Sequence, residues 1–442
     1  MTARTVIRSY LAITGLYTLS ASLIWGVNTL FLLDAGLNIL GVFIANGVFT
    51  GSMALFEIPT GVLADTRGRR LSFLLSLVVV SVGTLGYVGV GAAGGGLGLF
   101  VAMSVVLGLG YTFYSGAVEA WLVDALKATG YEGELDQIFA RGAIVTGTAM
   151  IFGTVSGGWL GSLDLAIPFL ARAGLLAAVF GIAFFTMHDL GYTPRALTLK
   201  ALPAAMKTIA QASIRFGWRK RAVRLLIVAA AVQAIFMAWG FHAWQPYFLG
   251  LLGHDDAVFV AGVIAALVAL AGITGNALVE WFTRYCGRRT TLLLWAAGVQ
   301  TAAAIGVGLA GSFYLAVGLY LVVMAASGVM RPIRQAYMHQ VIPSDQRATV
   351  ISFDSLVSSA TSMGGQAGLG YLSQVRSIAQ GYVVGGTTTV LVVPILLVLR
   401  RLGGQADVIR GRAALQGSCA ADGLPDVAYV DTTRRQATEA TA

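Results

Sequence analysis

Ionisable side chains are scarce in this 442-residue chain, and the few that interrupt its long apolar stretches are the ones able to do chemistry. Glu57, Glu119, Asp354 and His242 can each take up and release a proton inside such a stretch. Placing an acid in hydrocarbon costs about 2.5–3.5 kcal/mol on insertion scales, so its presence there indicates a role. For the three acids the sequence leaves two interpretations open, an ion pair with a nearby arginine or proton coupling. His242 is either a hydrogen-bonded packing residue or a proton relay.

Cations occur in the same setting at Arg331 and Arg334, with a proline and an isoleucine between them. A buried cation requires an anion, and Arg331 has two candidates: the carboxylate of Asp354, or a carboxylate or phosphate on a substrate. Polar and aromatic residues near mid-membrane predict a substrate cavity made of Trp25, Asn28, Tyr111, Tyr114, Gln233, Trp239 and Arg331. Trp244 and Tyr247 are instead expected in the aromatic belt at the membrane surface.

Membrane-spanning helices must position these side chains. Charged residues make up 11% of the chain and hydrophobic residues 57%, with a mean hydropathy of +0.78, whereas a soluble domain is about one-quarter charged. One span needs about 20 apolar residues, so the uncharged runs can be counted once two long runs are cut at glycine clusters. The count predicts an all-α integral membrane protein with twelve transmembrane helices.

Lysine and arginine define the orientation. With both termini cytoplasmic, all of the 29 Lys and Arg residues except Arg172 and Arg376 fall on the cytoplasmic side. This bias follows the positive-inside rule and predicts a multi-pass protein of the cytoplasmic membrane. Basic loops that face anionic lipid also account for the net charge of +9, so no nucleic-acid partner is expected.

A charged decapeptide, Gly61-Val62-Leu63-Ala64-Asp65-Thr66-Arg67-Gly68-Arg69-Arg70, lies between predicted spans two and three. We interpret it as a tight turn that begins at glycine and carries one carboxylate and three guanidinium groups. It resembles the signature loop of the major facilitator superfamily of secondary transporters. The resemblance implies a latch on the cytoplasmic side, in which Gly61 permits close helix approach and Asp65 meets the positive end of the span-eleven dipole. The alternative is that the arginines only enforce topology.

The latch needs charged partners on neighbouring spans. Glu119 and Asp124 lie near the predicted cytoplasmic end of span four, Arg141 begins span five and Arg347 begins span eleven. We therefore predict these four residues as gate partners. For Asp124 a structural ion pair is preferred to proton coupling.

The two halves of the chain repeat weakly. Gly68-Arg69-Arg70-Leu71 returns as Gly287-Arg288-Arg289-Thr290, and Arg141-Gly142 returns as Arg347-Ala348. Parallel six-helix repeats are the architecture that the family resemblance implies. We therefore predict two six-helix bundles related by pseudo-two-fold symmetry.

Domain boundaries follow from this repeat. The bundles are predicted at residues 1–189 and 225–401. A cytoplasmic linker at 190–224 contains a basic, amphipathic helix suited to the membrane interface. The polar tail at 402–442 is expected to be disordered.

Span five carries Gly153-Thr154-Val155-Ser156-Gly157-Gly158, which resembles the glycine-rich motif of twelve-helix drug/proton antiporters. Thr154 stands where that motif has proline, and span four lacks the arginine usual in those exchangers. The resemblance makes proton-coupled efflux of small organic or amphipathic molecules the leading function. Uptake or facilitated diffusion of a small polar or anionic metabolite, and lipid flipping on the same fold, are the alternatives.

An enzymatic function is not expected, because the sequence has no zinc-binding histidine pair, nucleophile elbow or phosphate-binding glycine loop. Two cysteines and four histidines give no metal site, and no cofactor is predicted. The expected partners are a small-molecule substrate, protons and membrane lipid, with the protein acting as a monomer. A channel is disfavoured because the two-fold repeat suits alternating access.

Overall fold

A computed structural model of the protein describes residues 1–192, 218, 220–254, 257–343 and 346–409. Helices make up most of these residues. The first half contains α1 (Ala3–Ser22), α2 (Asn28–Asp34), α3 (Ile39–Arg67), α4 (Arg69–Ala92), α5 (Leu97–Tyr114), α6 (Ala117–Ala128), α7 (Leu135–Gly161) and α8 (Ile167–Thr186). The second half contains α9 (Arg221–Leu252), α10 (Val258–Tyr285), α11 (Arg289–Leu309), α12 (Phe313–Val341), α13 (Arg347–Val375), α14 (Ile378–Thr389) and α15 (Val392–Leu402).

Three of the predicted spans are interrupted helices. The first is broken between α1 and α2, and the last between α14 and α15. The fourth is broken between α5 and α6 at Gly116, whose φ of 71° is a left-handed conformation that favours glycine. Such breaks expose backbone polar groups, which in a membrane protein must be bonded within the protein or line a cavity.

The all-α membrane fold is confirmed. Within the described residues, ten segments are long and apolar enough to span a bilayer. The other two predicted spans, α1 with α2 and the polar-rich α13, fall outside that set, so the total of twelve stays a prediction. Large apolar side chains such as Phe152, Phe185 and Trp295 are exposed, as expected for residues that face lipid.

The packing of the helices repeats between the halves. The pair α1 and α7 corresponds to α9 and α13, while α3 and α5 correspond to α10 and α12. Likewise α4 packs on α5 and α8, as α11 packs on α12 and on the α14–α15 pair. These matched pairs form two bundles with pseudo-two-fold symmetry. Two extensive contacts join the bundles, α3 with α13 and α7 with α10.

The linker and the tail lie mainly outside the described residues, including the predicted amphipathic helix. The start of the tail is ordered, which corrects the expectation of disorder from residue 402. Gln405–Asp407 form a 3-10 turn, and Val408 forms a β-bridge with Arg288. The Ile409 amide also donates to the Gly287 carbonyl at 3.0 Å. The tail therefore packs on the second bundle as far as residue 409.

Candidate functional site

The bundles have two ends that differ in how the halves meet. We call the end that carries Gly68 and Gly287 the motif end, and the opposite end, which carries the α7–α8 and α9–α10 connections, the far end. The far end is closed by backbone contact between α7 and α10. A Cβ atom built on Gly158 would lie 2.6 Å from the Cα atom of Gly262, closer than real Cβ contacts. Glycines in the span-five motif thus let the two halves touch directly.

A buried glutamine adds polar contacts to the far-end closure. Gln245 on α9 is fully buried, and its side-chain amide donates to the Trp25 carbonyl at 2.9 Å. Its Oε1 accepts from the Thr29 amide at 2.9 Å, and the Thr29 hydroxyl donates to the His242 carbonyl at 3.1 Å. Gln245 therefore bonds the backbone groups that the break between α1 and α2 leaves free.

The contact between α3 and α13 also lies toward the far end. A Cβ on Gly370 would lie 2.8 Å from the Phe43 side chain, and one on Gly47 would lie 3.5 Å from Met363. The Gln374 side chain accepts from the Leu40 amide at 3.4 Å. Together these contacts close the far end on both sides of the molecule.

Contact between the halves ends before the motif end. Apart from its own stretch of helix, no atom of the described residues lies within 4 Å of where a Cβ on Gly61 would be, although the sequence predicted a close helix approach there. On the other contact, a Cβ on Gly147 would lie 3.9 Å from Ile273, and Ile144, one turn farther on, is 70% exposed. Glu57 on α3 and Arg141 on α7 are also exposed. The helices of the two halves therefore diverge toward the motif end.

Between the closed and open ends lies a cavity of about 310 Å³. It is lined by both halves, with Trp25 and Met150 from the first bundle and thirteen residues from the second. The second-bundle residues are Met237, Phe241, Trp244, Ala265, Val268, Ala269, Gly272, Asn276, Met324, Ser327, Gly328, Arg331 and Pro332. Aromatic and sulfur-containing side chains thus surround one cation and two neutral polar groups.

A second cavity of about 170 Å³ shares Met237, Ser327 and Arg331 with the first, so the two adjoin. Gln233 lines this second cavity, as predicted, together with Arg334 and Ser358. Of the predicted cavity residues, Trp25, Gln233 and Arg331 line these two spaces.

Of the two arginines that line the cavities, one is held in an ion pair. Nη1 of Arg334 lies 2.9 Å from both carboxylate oxygens of Asp354, whose side chain is mostly buried. Asp354 therefore pairs with Arg334 and not with Arg331, the partner considered from the sequence. No ion pair involves Arg331 within the described residues. One uncompensated positive charge thus faces the cavity.

Other predicted cavity residues lie elsewhere. Trp239 is fully buried against Phe43 and Tyr382 in the core of the second bundle. Asn28 donates to the Asn46 side chain at 3.1 Å, in the closed region. His242 is absent from the cavity walls described above, and its Nδ1 is buried without a hydrogen-bond partner. Trp244 is 2% exposed and lines the cavity, so its assignment to a surface belt was wrong.

Tyr111 and Tyr114 belong to the core of the first bundle. Tyr17 stacks on Tyr114 with ring centroids 4.0 Å apart and meets the Tyr111 ring edge-on. Arg172 on α8 is 2% exposed and donates from Nη2 to the Tyr111 hydroxyl at 2.9 Å. The guanidinium therefore lies inside the first bundle, and its place on the outer side of the membrane stays a prediction. A lone arginine in an apolar run was the sequence signal for this.

The charged decapeptide is mostly helical. Helix α3 continues to Arg67 and α4 begins at Arg69, so the predicted turn is reduced to Gly68 at φ 109° and ψ 151°. Such a backbone conformation is accessible to glycine and strained for other residues. Asp65 and Arg69 bridge the break with a 2.7 Å ion pair, the side chains being 29% and 23% exposed. Asp65 therefore pairs within its own half.

Two aspartates that were not predicted from the sequence cap the helices that follow Gly68 and Gly287. Asp189 follows α8 and accepts the Arg70 amide at 2.9 Å, which caps the first turn of α4. Asp407 follows α15 and accepts both the amide and the hydroxyl of Thr290 at 2.8 and 2.9 Å, which caps α11. Their matching places, each after the last span of a half, were the available signal.

Within the described residues, no hydrogen bond or ion pair joins the predicted gate partners to the decapeptide. Glu119 lies at the start of α6, with its Oε2 atom buried and without a hydrogen-bond partner. Asp124 and Arg141 form no ion pair within the described part of the chain. Arg347 donates to the His339 carbonyl at 3.2 Å. Arg70 donates to the Phe184 carbonyl at 2.7 Å. In this conformation Asp65, Arg70 and Arg347 are bonded within their own halves.

Comparison with known proteins gives one family. The sequence profile described as Major Facilitator Superfamily matches residues 10–366. An uncharacterised MFS-type transporter, YxaM of Bacillus subtilis (strain 168), is 22% identical over 88% of this chain and 93% of its own. The putative niacin/nicotinamide transporter NiaP of the same organism is 24% identical over 67% of this chain and 70% of its own.

The fold also matches a solved structure. The crystal structure of the nucleoside transporter NupG superposes with a TM-score of 0.73, covering 89% of this chain and 98% of its own. Sequence identity is 10%, so this similarity concerns the fold.

Proposed function

This chain belongs to the Major Facilitator Superfamily and is a multi-pass membrane transporter of that kind, and we propose that it exports small organic molecules by alternating access coupled to protons. The motif end is cytoplasmic in this proposal, in keeping with the basic residues there. The conformation described above then opens toward the cytoplasm. Transport consists of closing the motif end and opening the far end around the central cavity.

One observation carries the proposal: the halves touch at the far end, separate toward the motif end and line a cavity between these regions. A transporter that alternates needs two gates of which one is shut at a time. The small-residue contact at Gly158 and Gly262, with the Gln245 bonds, supplies the shut gate. The Asp65 region supplies the second, which this conformation leaves open.

Proton coupling is assigned to Glu119. Its Oε2 is buried and unbonded, and the residue forms no ion pair with any described side chain. Two alternatives are weaker, because Arg334 neutralises Asp354 and because Glu57 is exposed. His242, whose Nδ1 is also buried without a partner, stays the second candidate. An unpaired carboxylate in a membrane protein is suited to bind and release a proton as its surroundings change. Protonation of Glu119 thus accompanies closure of the motif end.

Uptake of a small anionic metabolite is the second candidate. The unpaired charge of Arg331 in the cavity favours it, and the relative NiaP is named as a putative niacin/nicotinamide transporter. The direction in which the substrate moves across the membrane distinguishes export from uptake. The residues that line the two cavities described above do not favour lipid flipping over these two candidates.

The test is a liposome assay of the purified protein. A pH gradient is imposed, pyranine inside the liposomes reports protons, and a panel of dyes, sugars, organic anions and lipids is added to either side. We expect at least one organic class to drive proton flux, with flux lost in Glu119→Gln. Glu132→Gln, which changes an exposed loop acid, is the matched control and retains flux.

Two results would overturn parts of the proposal. Solute movement that is equally fast with and without the pH gradient removes proton coupling. Movement only toward the side that carries the motif end replaces export by uptake.

A further inference from the structure

We infer that the central cavity is a binding site for a small organic monoanion, a carboxylate attached to a flat apolar body. The inference rests on the proposed function in taking this cavity as the substrate site. It adds the charge, shape and size of the molecule that is carried.

The charge of the cavity favours an anion. The described residues that line the two adjoining cavities include the cations Arg331 and Arg334 and no acid. Nη1 of Arg334 donates to both carboxylate oxygens of Asp354, each at 2.9 Å. Arg331 makes no ion pair in the described part of the chain, so the cavity keeps one positive charge. Arg331 is exposed, so a cationic substrate would be repelled there and an anion attracted.

The geometry of arginine narrows the anion. A guanidinium presents its donors in a planar fork that matches the two oxygens of a carboxylate. Neutral polar groups, the side chains of Asn276 and Ser327, lie on the same cavity walls. One cation with two neutral hydrogen-bonding groups suits a single negative charge better than a doubly charged phosphate.

Shape comes from the aromatic walls. Trp25, Phe241 and Trp244 line the larger cavity, and Met237 and Met324 lie among them. Indole and phenyl faces stack on flat rings, and thioether sulfur makes favourable contacts with aromatic rings. These walls favour a ring system over a sugar, whose hydroxyls would need many more polar partners.

The volume of the cavities limits the size of the molecule that can bind. The larger cavity is about 310 Å³, at the lower end of the roughly 300–1,000 Å³ range of small-molecule pockets. The adjoining space adds about 170 Å³ on the Arg334 side. A molecule of one or two rings fits this volume, and a lipid with two acyl chains does not.

The test compares acids with their neutral amides, because the two have nearly the same shape. Purified protein in detergent is titrated by calorimetry with benzoate, 2-naphthoate and indole-3-acetate, and with benzamide, 2-naphthamide and indole-3-acetamide. We expect at least one carboxylate to bind tenfold or more tightly than its amide. The preference should fall to near unity in Arg331→Gln and be partly kept in Arg331→Lys. Arg376→Gln, an exposed cation at the far end, is the control and keeps the full preference.

Several outcomes would overturn the inference. These are the absence of binding by every carboxylate, equal binding of acids and amides by the unaltered protein, or a preference that persists in Arg331→Gln. The acid–amide comparison uses the unaltered protein, so it remains decisive if an Arg331 variant does not fold.

Liposome transport of the same compounds separates this inference from the proposed function. Charge-selective binding without movement across the membrane would support the site and defeat the transport proposal. Transport of neutral compounds at rates that ignore Arg331 would defeat the inference and support the transporter.

Discussion

The far end and the motif end of this protein join the same two halves by different physical means. At the far end the halves meet through glycine backbone and through Gln245, which is fully buried. At the motif end several charged groups are bonded inside their own half: Asp65 pairs with Arg69, and Arg70 donates to Asp189 and to the Phe184 carbonyl. The closed end is thus held by close packing, whereas these charged groups of the open end bond to neighbours in the same half.

The difference indicates how each end can switch. Close backbone packing is lost completely when helices separate by a few ångströms, because dispersion falls steeply with distance. Charged side chains can exchange partners at little cost, since partly exposed ion pairs contribute about 0–1 kcal/mol. A tight contact at one end and exchangeable ion pairs at the other allow the halves to rock without a large energy difference.

The largest expected effect comes from filling the far-end contact. In Gly158→Val the new side chain overlaps the Gly262 backbone, and overpacking costs about 1–3 kcal/mol. That corresponds to about tenfold or more in the population of the far-end-closed state. Pulsed electron spin resonance between labels at residues 163 and 309, in a background without Cys286 and Cys419, should show a longer distance. Gly174→Val, at an exposed glycine with open space, is the control and should leave the distance unchanged.

At the motif end, the rigid element is the corner at Gly68. Gly68→Ala places a Cβ against the Asp189 carboxylate at a positive φ, which costs about 1–3 kcal/mol. The melting temperature of the purified protein should fall by several degrees. Gly287→Ala is the matched variant in the second half, where a Cβ meets open space and φ is not positive, and it should melt like the unaltered protein. Equal destabilisation by both variants would contradict this account.

Removal of the polar far-end contact has an intermediate effect. Gln245→Leu leaves the Thr29 amide and the Trp25 carbonyl without partners, and each lost hydrogen bond costs about 1 kcal/mol. The label pair at residues 163 and 309 should then report a far-end-open population raised about tenfold. Gln380→Leu, at an exposed position of α14, should not change it. An unchanged population in Gln245→Leu would show that glycine packing alone closes this end.

The smallest effect on stability is expected at Asp65. Asp65→Asn breaks a partly exposed ion pair, so the free energy of unfolding should change by less than about 1 kcal/mol. If the Asp65 region is the second gate, solute exchange in liposomes slows several-fold while the amount of folded protein is unchanged. Glu280→Gln removes an ion pair of the same i, i+4 spacing with Arg284 in the second half and serves as the control. Equal exchange rates in all three proteins would remove the latch.

Much of the fold was predictable because the length of an apolar run and the distribution of basic residues can be read from the sequence without knowing how the helices pack. The uncharged runs predicted an all-α membrane protein, and the repeated Gly-Arg-Arg segments predicted two related halves. Prediction failed where helices continue or break for reasons outside the run. Helix α3 passes through the expected turn as far as Arg67, and the α1–α2 break is stabilised by Gln245 from the other half.

The candidate site was only partly predictable. Arg331, Trp25 and Gln233 were identified by being polar or aromatic near mid-membrane, and they line the cavities. Tyr111 and Trp239 met the same criterion and lie in bundle cores. Depth along a helix can be counted from the sequence, whereas the direction that a side chain faces depends on which helices pack around it.

The sequence by itself determined that this is an all-α membrane protein. Apolar runs and basic loops interact with the membrane in the same way whatever the packing of the helices. Only the tertiary structure decided which charges are neutralised and which end is shut. Asp354 lies on α13 and can choose between two arginines of α12, and geometry gives it to Arg334. That choice leaves Arg331 without an ion pair among the described residues, since ion pairing depends on distances of a few ångströms that no spacing along the chain specifies.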